Sequence, residues 1–268
     1  MRNTKIFLYL LILFIIFNAE LSADETAETA EAVENTAPFR IGTGAGYSFA
    51  GYREETDLPL NRYVNSFVFI IDGNIEKDKF IYSFNTSFLF GKTNAIEINA
   101  NENYFTYYQK ESNFIRASLE NALDYRLWGN NKFPGYLGGA LRCDVYFINL
   151  PETFYYNLTA AISLNAHITQ KWHINEKNTL IFSASFPIFG YAVRPPYYGL
   201  LYSPMDLEKD FISLHNYWAL FCDVKYQYKI NSLLCFYSNL GIELSHINFP
   251  QPRKDALIRL SAGVSFIF

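Results

Sequence analysis

The chain has 268 residues, of which half are hydrophobic and 18% aromatic, with 25 Phe and 21 Tyr. Charged residues make up only 18%, against roughly 25% in soluble domains. A formal charge of −4 with no run of Lys and Arg excludes a nucleic-acid binder, which needs a concentrated basic face.

The amino end has the layout of a secretory signal peptide. Arg2 and Lys5 precede the apolar stretch Ile6 to Phe17, and a short polar segment then ends in the small Ala23. The rival is a membrane-anchoring helix, but the stretch falls short of the ~20 apolar residues that spanning needs. Cleavage after Ala23 is therefore expected, giving residues 1–23 as the signal. Residues 24–38, "DETAETAEAVENTAP", are acidic and low in complexity, and are expected to be a disordered periplasmic leader.

From Phe39 onward the hydrophobic period is two. Phe80, Tyr82, Phe84, Thr86, Phe88 and Phe90 fall on one face, with Ile81, Ser83, Asn85, Ser87 and Leu89 on the other. Ile162, Leu164, Ala166 and Ile168 likewise oppose Ser163, Asn165, His167 and Thr169, and Leu180, Phe182, Ala184 and Phe186 repeat the pattern. These runs exceed the usual strand mode of about 5–6 residues. They are joined alternately by short polar turns and longer loops, as in outer-membrane barrels. The turns are "EKDK" (76–79), "GNNK" (129–132), "NEKN" (175–178) and "KINS" (229–232).

Ten strands follow, over 39–53, 62–75, 80–91, 103–128, 133–149, 154–172, 179–193, 215–228, 233–248 and 256–268. The fold class is therefore all-β: a transmembrane antiparallel barrel of about ten strands over residues 39–268, with twelve as the alternative count. An even count places both ends on the periplasmic side. In 103–128 the phase slips near Ser112 to Phe114, and "QKESN" reads as a turn or as a bulge within one long strand; the bulge is the expectation. Trp128, Trp172, Tyr226 and Tyr228 are placed in a lower aromatic girdle, and Tyr155, Tyr156, Tyr217 and Trp218 in an upper one.

The last stretch, "IRLSAGVSFIF", alternates to Phe268. It resembles the carboxyl-terminal insertion signal of bacterial outer-membrane β-barrel proteins, polar-x-Gly-x-x-aromatic-x-aromatic, carried by Ser261, Gly263, Phe266 and Phe268. The resemblance implies export, handling by periplasmic chaperones and the barrel-assembly machinery, and insertion among the lipids of a diderm outer membrane. It names no subfamily.

Alternation turns Arg116, Glu120, Asp124, Arg126, Arg142, Asp144, Asp223, Lys225, Glu243 and Arg259 into the lumen. Five charges of each sign predict paired groups that brace the interior rather than a channel selective for one sign of ion. Enzymatic candidates are weaker. Ser245 and His246 are adjacent, and so point to opposite faces of a strand. "SHINF" is similar in part to the His-x-Ser-Asn of outer-membrane lipid A deacylases, but Asn248 stands at the serine position. Asp206, Asp210 and His215 lie on the long loop without the motifs of the omptin proteases. Cys143, Cys222 and Cys235 are odd in number, and Cys222 and Cys235 fall on different faces, so no disulfide is expected. No metal or cofactor is implied.

The expected role is a monomeric barrel with a structural, binding or restricted small-solute pore function. The alternative is a membrane-embedded hydrolase acting on lipid or peptide at the outer rim. If the terminal motif is a recognition signal, deleting Phe268 lowers the yield of heat-modifiable barrel at matched synthesis and export. Equal yields with and without it would remove the motif.

Overall fold

The computed structural model describes residues 39–54, 60–94, 96–99, 106–109, 111–150, 155–194, 208–213, 216–248 and 252–268. The expected signal peptide and acidic leader lie outside these residues. Among the described residues are thirteen strands: β1 (Phe39–Glu54), β2 (Leu60–Lys77), β3 (Phe80–Thr93), β4 (Ile96–Asn99), β5 (Thr106–Gln109), β6 (Asn113–Trp128), β7 (Gly135–Leu150), β8 (Tyr155–His173), β9 (Asn178–Arg194), β10 (Glu208–Ser213), β11 (Tyr217–Lys229), β12 (Leu234–Ile247) and β13 (Arg253–Ile267).

The long alternating runs pair with their sequence neighbours, all antiparallel, and β13 returns to pair with β1 from Arg40↔Ile267 to Glu54↔Arg253. Closure gives β1 and β13 a partner on each side, so neither is an open edge. At the seam the backbone groups of Phe39 and Phe268 exchange hydrogen bonds of 3.2 and 2.8 Å, and their rings stack 6.2 Å apart.

The barrel has ten strand positions because β10 and β11 share one. β10 pairs with Phe189–Arg194 of β9 and β11 with Asn178–Ser185, so the ladder is interrupted between them. The cause is in β9. Pro187 has no N–H to donate, and the β8–β9 register slips between Leu164 and Asn165, leaving Ile188 as an extra residue. Asn216 bridges the break: its backbone N–H donates to Ser213 O at 3.0 Å, and its side-chain oxygen accepts from the Ser213 N–H at 2.8 Å. Part of the expected long loop is thus strand, and the expected 215–228 strand is extended by β10.

The expected single strand 103–128 is also corrected. β5 pairs with β4 in a separate two-stranded sheet, and the barrel strand β6 begins at Asn113. The phase slip near Ser112 marks a strand end rather than a bulge. There the Thr93 N–H donates to Ser112 O at 2.8 Å, and the Ser112 N–H to Thr93 Oγ1 at 3.0 Å.

At the opposite end three of the four short turns are held by an asparagine that accepts two turn N–H groups. Asn130 takes those of Lys132 and Phe133, Asn175 those of Lys177 and Asn178, and Asn231 those of Leu233 and Leu234.

The outward face is apolar. Phe67 is 72% exposed and Leu260 61%, and Phe90, Leu123, Ile162 and Phe186 are exposed beside them. Such a belt far exceeds the isolated apolar residues of a water-facing surface. Trp128, Trp172, Trp218, Tyr226 and Tyr228 lie on it, near the strand ends. Tyr217 does not: it turns inward and packs against Ala192, Ile212 and Ile247, because strand parity places it with Ala219 and Phe221 rather than with Trp218.

Closure at the seam depends on close approach. A Cβ on Gly46 would overlap the Leu260 carbonyl and lie 2.5 Å from Ser261 Cα, whereas one on Gly51 would meet nothing nearer than the Tyr63 ring at 3.8 Å. Gly46→Val is therefore expected to destabilise the barrel by about 1–3 kcal/mol, and Gly51→Ala by no more than about 0.5 kcal/mol. Unfolding midpoints in urea, read by unheated gel mobility, check both.

Candidate functional site

The same parity that makes the outside apolar turns the charged side chains inward, where each needs a partner. The charges form a belt at mid-height. Arg116 of β6 donates to Asp144 at 2.8 Å and to Glu243 at 2.6 Å. Arg142 of β7 reaches Asp144 at 2.6 Å, Glu243 at 3.2 Å and Glu120 at 3.5 Å, and its guanidinium lies 3.7 Å over the Phe221 ring. Arg259 of β13 reaches Asp223 at 2.9 Å and Glu243 at 3.7 Å.

Glu243 sits on β12, across the barrel from β6 and β7 in the order of pairing. The belt is therefore tied across the lumen, not only along its wall. Arg259 also donates to Ser87 of β3 at 3.3 Å, and Ser185 of β9 donates to Glu120 of β6 at 2.9 Å. Further hydrogen bonds satisfy the carboxylates: Ser118 donates to Asp144 at 2.6 Å and Asn239 to Asp223 at 2.8 Å.

A second set of ties lies toward the turn end. Lys225 pairs with Asp72, Lys171 with Glu76, and Arg40 donates to the Gln227 side chain. Tyr136 donates to Glu76 at 2.5 Å, and Lys225 lies 4.1 Å over the Tyr237 ring. Tyr237 can enter the lumen because Gly42, Gly44 and Gly263 leave the space that its ring fills. Asp124 is held differently, with His167 Nδ1 2.7 Å from one oxygen and the Thr169 hydroxyl donating at 2.9 Å.

Toward the loop end the interior becomes apolar and aromatic. Ala50, Tyr52, Val64, Val68, Leu89, Phe114, Ile148 and Leu257 form one buried cluster. The Arg253 guanidinium lies 4.7 Å over the Tyr52 ring and 4.3 Å over that of Tyr146, with Asp255 at 2.5 Å.

Of the ten residues placed in the lumen from sequence, Arg116, Glu120, Arg142, Asp144, Asp223, Glu243 and Arg259 meet in the belt. Lys225 belongs to the turn-end set and Asp124 to the histidine pair. Arg126 joins neither. It lies beside the 129–132 turn and donates to Gly129 O at 3.4 Å and Asn131 Oδ1 at 3.3 Å. Sequence reasoning passed over Asp72 and Glu76, which continue the inward parity of Val64, Val68 and Ile70. It also passed over Lys171, which continues that of His167 and Thr169.

The terminal motif divides between faces, with Ser261 and Gly263 inward and Phe266 and Phe268 outward. Gly263 has a packing role there, since a Cβ would overlap the Thr43 carbonyl and lie 2.8 Å from Tyr237 Cζ. Ser245 faces the lumen while His246 faces outward against Trp218, so the two do not act together. Asp206, His215 and the side chain of Asp210 lie outside the described residues, as do the side chains of Tyr155 and Tyr156. The three cysteines are free.

Two cavities in the lumen are lined by described residues. One of about 120 Å³, toward the turn end, is lined by Asp72, Asn85, His167, Lys225 and Asn239. One of about 60 Å³, toward the loop end, is lined by Tyr52, Arg116, Tyr146 and Tyr217. Both hold water readily but fall below the roughly 300 Å³ of small-molecule sites.

No protein-family model matches the chain, and no curated protein sequence does. Among solved structures it is similar to the outer-membrane protease OmpT from Escherichia coli (7% identity, TM-score 0.55, 89% of this chain and 99% of that one). The Neisserial surface protein A (11%, 0.39, 86% and 97%) and the NalP translocator domain of Neisseria meningitidis (9%, 0.43, 94% and 96%) also match. The first of these likenesses shows the fold, a closed antiparallel barrel.

Removing one partner from the belt strands the others. Arg142→Leu leaves Asp144 and Glu120 short of their main cation and is expected to cost about 3–5 kcal/mol, less where lumen water reaches the carboxylates. Asp124→Asn, which keeps a hydrogen-bonding group toward His167 and Thr169, is expected to cost less. Urea midpoints of the folded barrels compare the two.

Proposed function

We propose that the chain is a monomeric outer-membrane barrel of non-enzymatic role, closed to all but very small solutes, whose loops face the environment. The membrane setting is supported by the apolar outward belt and by strands of 13 to 19 residues at the barrel positions β1–β3, β6–β9 and β11–β13. These are longer than the roughly 9–11 that a tilted strand needs to cross a bilayer. The terminal motif and the signal layout support export and handling by the barrel-assembly machinery.

The observation that carries the closed state is the mid-height belt. Three guanidiniums and four carboxylates fill the cross-section and are joined across it, and the two cavities beside them are too small to serve as a continuous solute path. A channel selective for one sign of ion needs a ring of like charge, and here the signs alternate within hydrogen-bonding distance. The loops at the far end are the surface left for engaging a partner. The connection after Arg194, residues 195–207 before β10, is the strongest sequence candidate, because it reaches the roughly 12–15 residues beyond which structureless loops are uncommon and usually functional or disordered.

In planar bilayers the purified barrel is expected to show little steady conductance. Replacing Glu243 by Ala is expected to raise leak, because that carboxylate joins the two sides of the belt. A large, stable, ion-selective conductance in the unmodified protein would overturn the closed reading.

A further inference from the structure

Each short turn at the turn end carries an exposed lysine. Lys77 and Lys79 flank Asp78 between β2 and β3, Lys132 lies between β6 and β7, Lys177 between β8 and β9, and Lys229 at the end of β11. In the order of pairing these turns recur every two strand positions, so the lysines ring the barrel on all sides but the β1–β13 seam. Backbone bonds hold neighbouring turns at one level. The Arg126 N–H donates to Lys79 O at 2.7 Å, that of His173 to Lys132 O at 2.9 Å, and that of Lys229 to Lys177 O at 2.7 Å.

Two features make this rim more than a solvated surface. The first is charge. Five exposed lysines meet two exposed carboxylates on the same turns, Asp78 and Glu176, and none of the five forms an ion pair among the described residues. Glu76, just inside the rim, is held by Lys171 and Tyr136. The whole chain carries −4, so the positive excess is local to this end.

The second is what stands beside the lysines. Phe80 follows Lys79, Phe133 follows Lys132, Ile230 follows Lys229, and Ile174 shares the turn of Lys177; all four are 42% to 53% exposed. Turns ordinarily favour Gly, Pro, Asn, Asp and Ser, so a large apolar side chain in each has another cause. Trp128, Trp172, Tyr226 and Tyr228 face outward on the adjoining strand ends. These residue types favour the boundary between acyl chains and headgroups. Long lysine stems leaving the barrel at that boundary carry their ammonium groups to headgroup level. Lys79 is turned that way, its ammonium 6.0 Å over the ring of the outward Tyr125.

We propose that the rim docks anionic phospholipid of the inner leaflet, of the phosphatidylglycerol kind. The ammonium groups meet the phosphates, and the neighbouring apolar side chains enter the acyl region. The proposal rests on the membrane reading above, with the turn end inward. The occupant follows from distribution and charge. Lipid surrounds a barrel on every side, as the lysines do. A periplasmic polymer or protein would meet one sector or the turn tips, and would leave the apolar companions without a partner. Anionic headgroups attract each nearby lysine, which zwitterionic ones do not.

The test uses the full barrel refolded in detergent and shown to be heat-modifiable, so that failure of the membrane reading appears first as the absence of such a barrel. The barrel is then placed in nanodiscs of equal phosphatidylglycerol and phosphatidylethanolamine, and native mass spectrometry counts the lipids that stay with it on release. Phosphatidylglycerol is expected to be enriched about threefold or more over the bulk ratio, and less at high salt, which screens exposed charges. Combining Lys79→Gln, Lys132→Gln, Lys177→Gln and Lys229→Gln is expected to return the ratio to that of the bulk while heat-modifiability is kept. Lys92→Gln, at the loop end, is expected to leave the enrichment unchanged. Retention at the bulk ratio by the parent would overturn the proposal, as would undiminished enrichment in the folded combined variant or an equal loss in Lys92→Gln. Binding of the parent, but not of the combined variant, to purified peptidoglycan without any lipid preference would assign the rim to the wall polymer instead.

Discussion

The interior depends on ion pairs that cross the barrel. Arg116 and Arg142, on adjacent strands, both reach Glu243 on the far side, and Lys225 and Lys171 reach Asp72 and Glu76 from the opposite wall. Side chains of ordinary length would leave a water column down a ten-position barrel. Long cations meeting carboxylates near the axis fill it at mid-height and toward the turns, below the apolar cluster of the loop end. Each pair is costly to desolvate, so the charges are stable only as a connected set: Glu243 serves three guanidiniums and Asp144 two. This mutual dependence also fixes register. A one-residue slip of any strand would send its charges outward into the apolar belt.

Most of the fold was legible because period-two alternation survives nearly the whole length of the chain. It gave the face of most residues and the number of barrel positions. It could not give height. Arg126 has the same parity as Arg116 and Arg142, yet it lies at the turn end and bonds to its own turn, because position along the axis is set by strand stagger. For the same reason the list of inward charges was legible while the cross-lumen partners were not. Two strand boundaries failed for local reasons. A phase slip near Ser112 reads equally as a bulge or as a strand end, and Pro187 shifts the pairing of β9 without disturbing the apolar pattern of its neighbours. Tyr217 was misplaced because aromatic residues near a strand end were assigned by type rather than by parity.

In the terminal strand a packing role overlaps with the proposed recognition motif. Gly263 is a motif position, but its lack of a side chain also admits the Thr43 carbonyl and the Tyr237 ring. Ser261 faces the lumen beside it. Of the four motif positions only Phe266 and Phe268 project outward, where an assembly factor of the proposed kind would meet them. A substitution at Gly263 would therefore perturb the folded seam as well as any recognition, whereas the outward aromatics separate the two.

Interior and exterior also constrain one another in depth. Along β7 and β8 the outward positions from Leu137 to Phe147 and from Leu158 to Ile168 carry no ionisable group besides the Cys143 thiol, while the inward positions carry Arg142, Asp144 and His167. In the proposed membrane setting a charge on the outer face at that depth would meet acyl chains, whereas one on the inner face meets its partner. In that setting outward charges become tolerable only where headgroups and water begin, so their first appearance on each strand would mark that boundary. Arg53 and Lys254 mark it on β1 and β13 at the same register level, beside His246 on β12. The cross-strand register that aligns the belt inside thus also aligns a basic row outside.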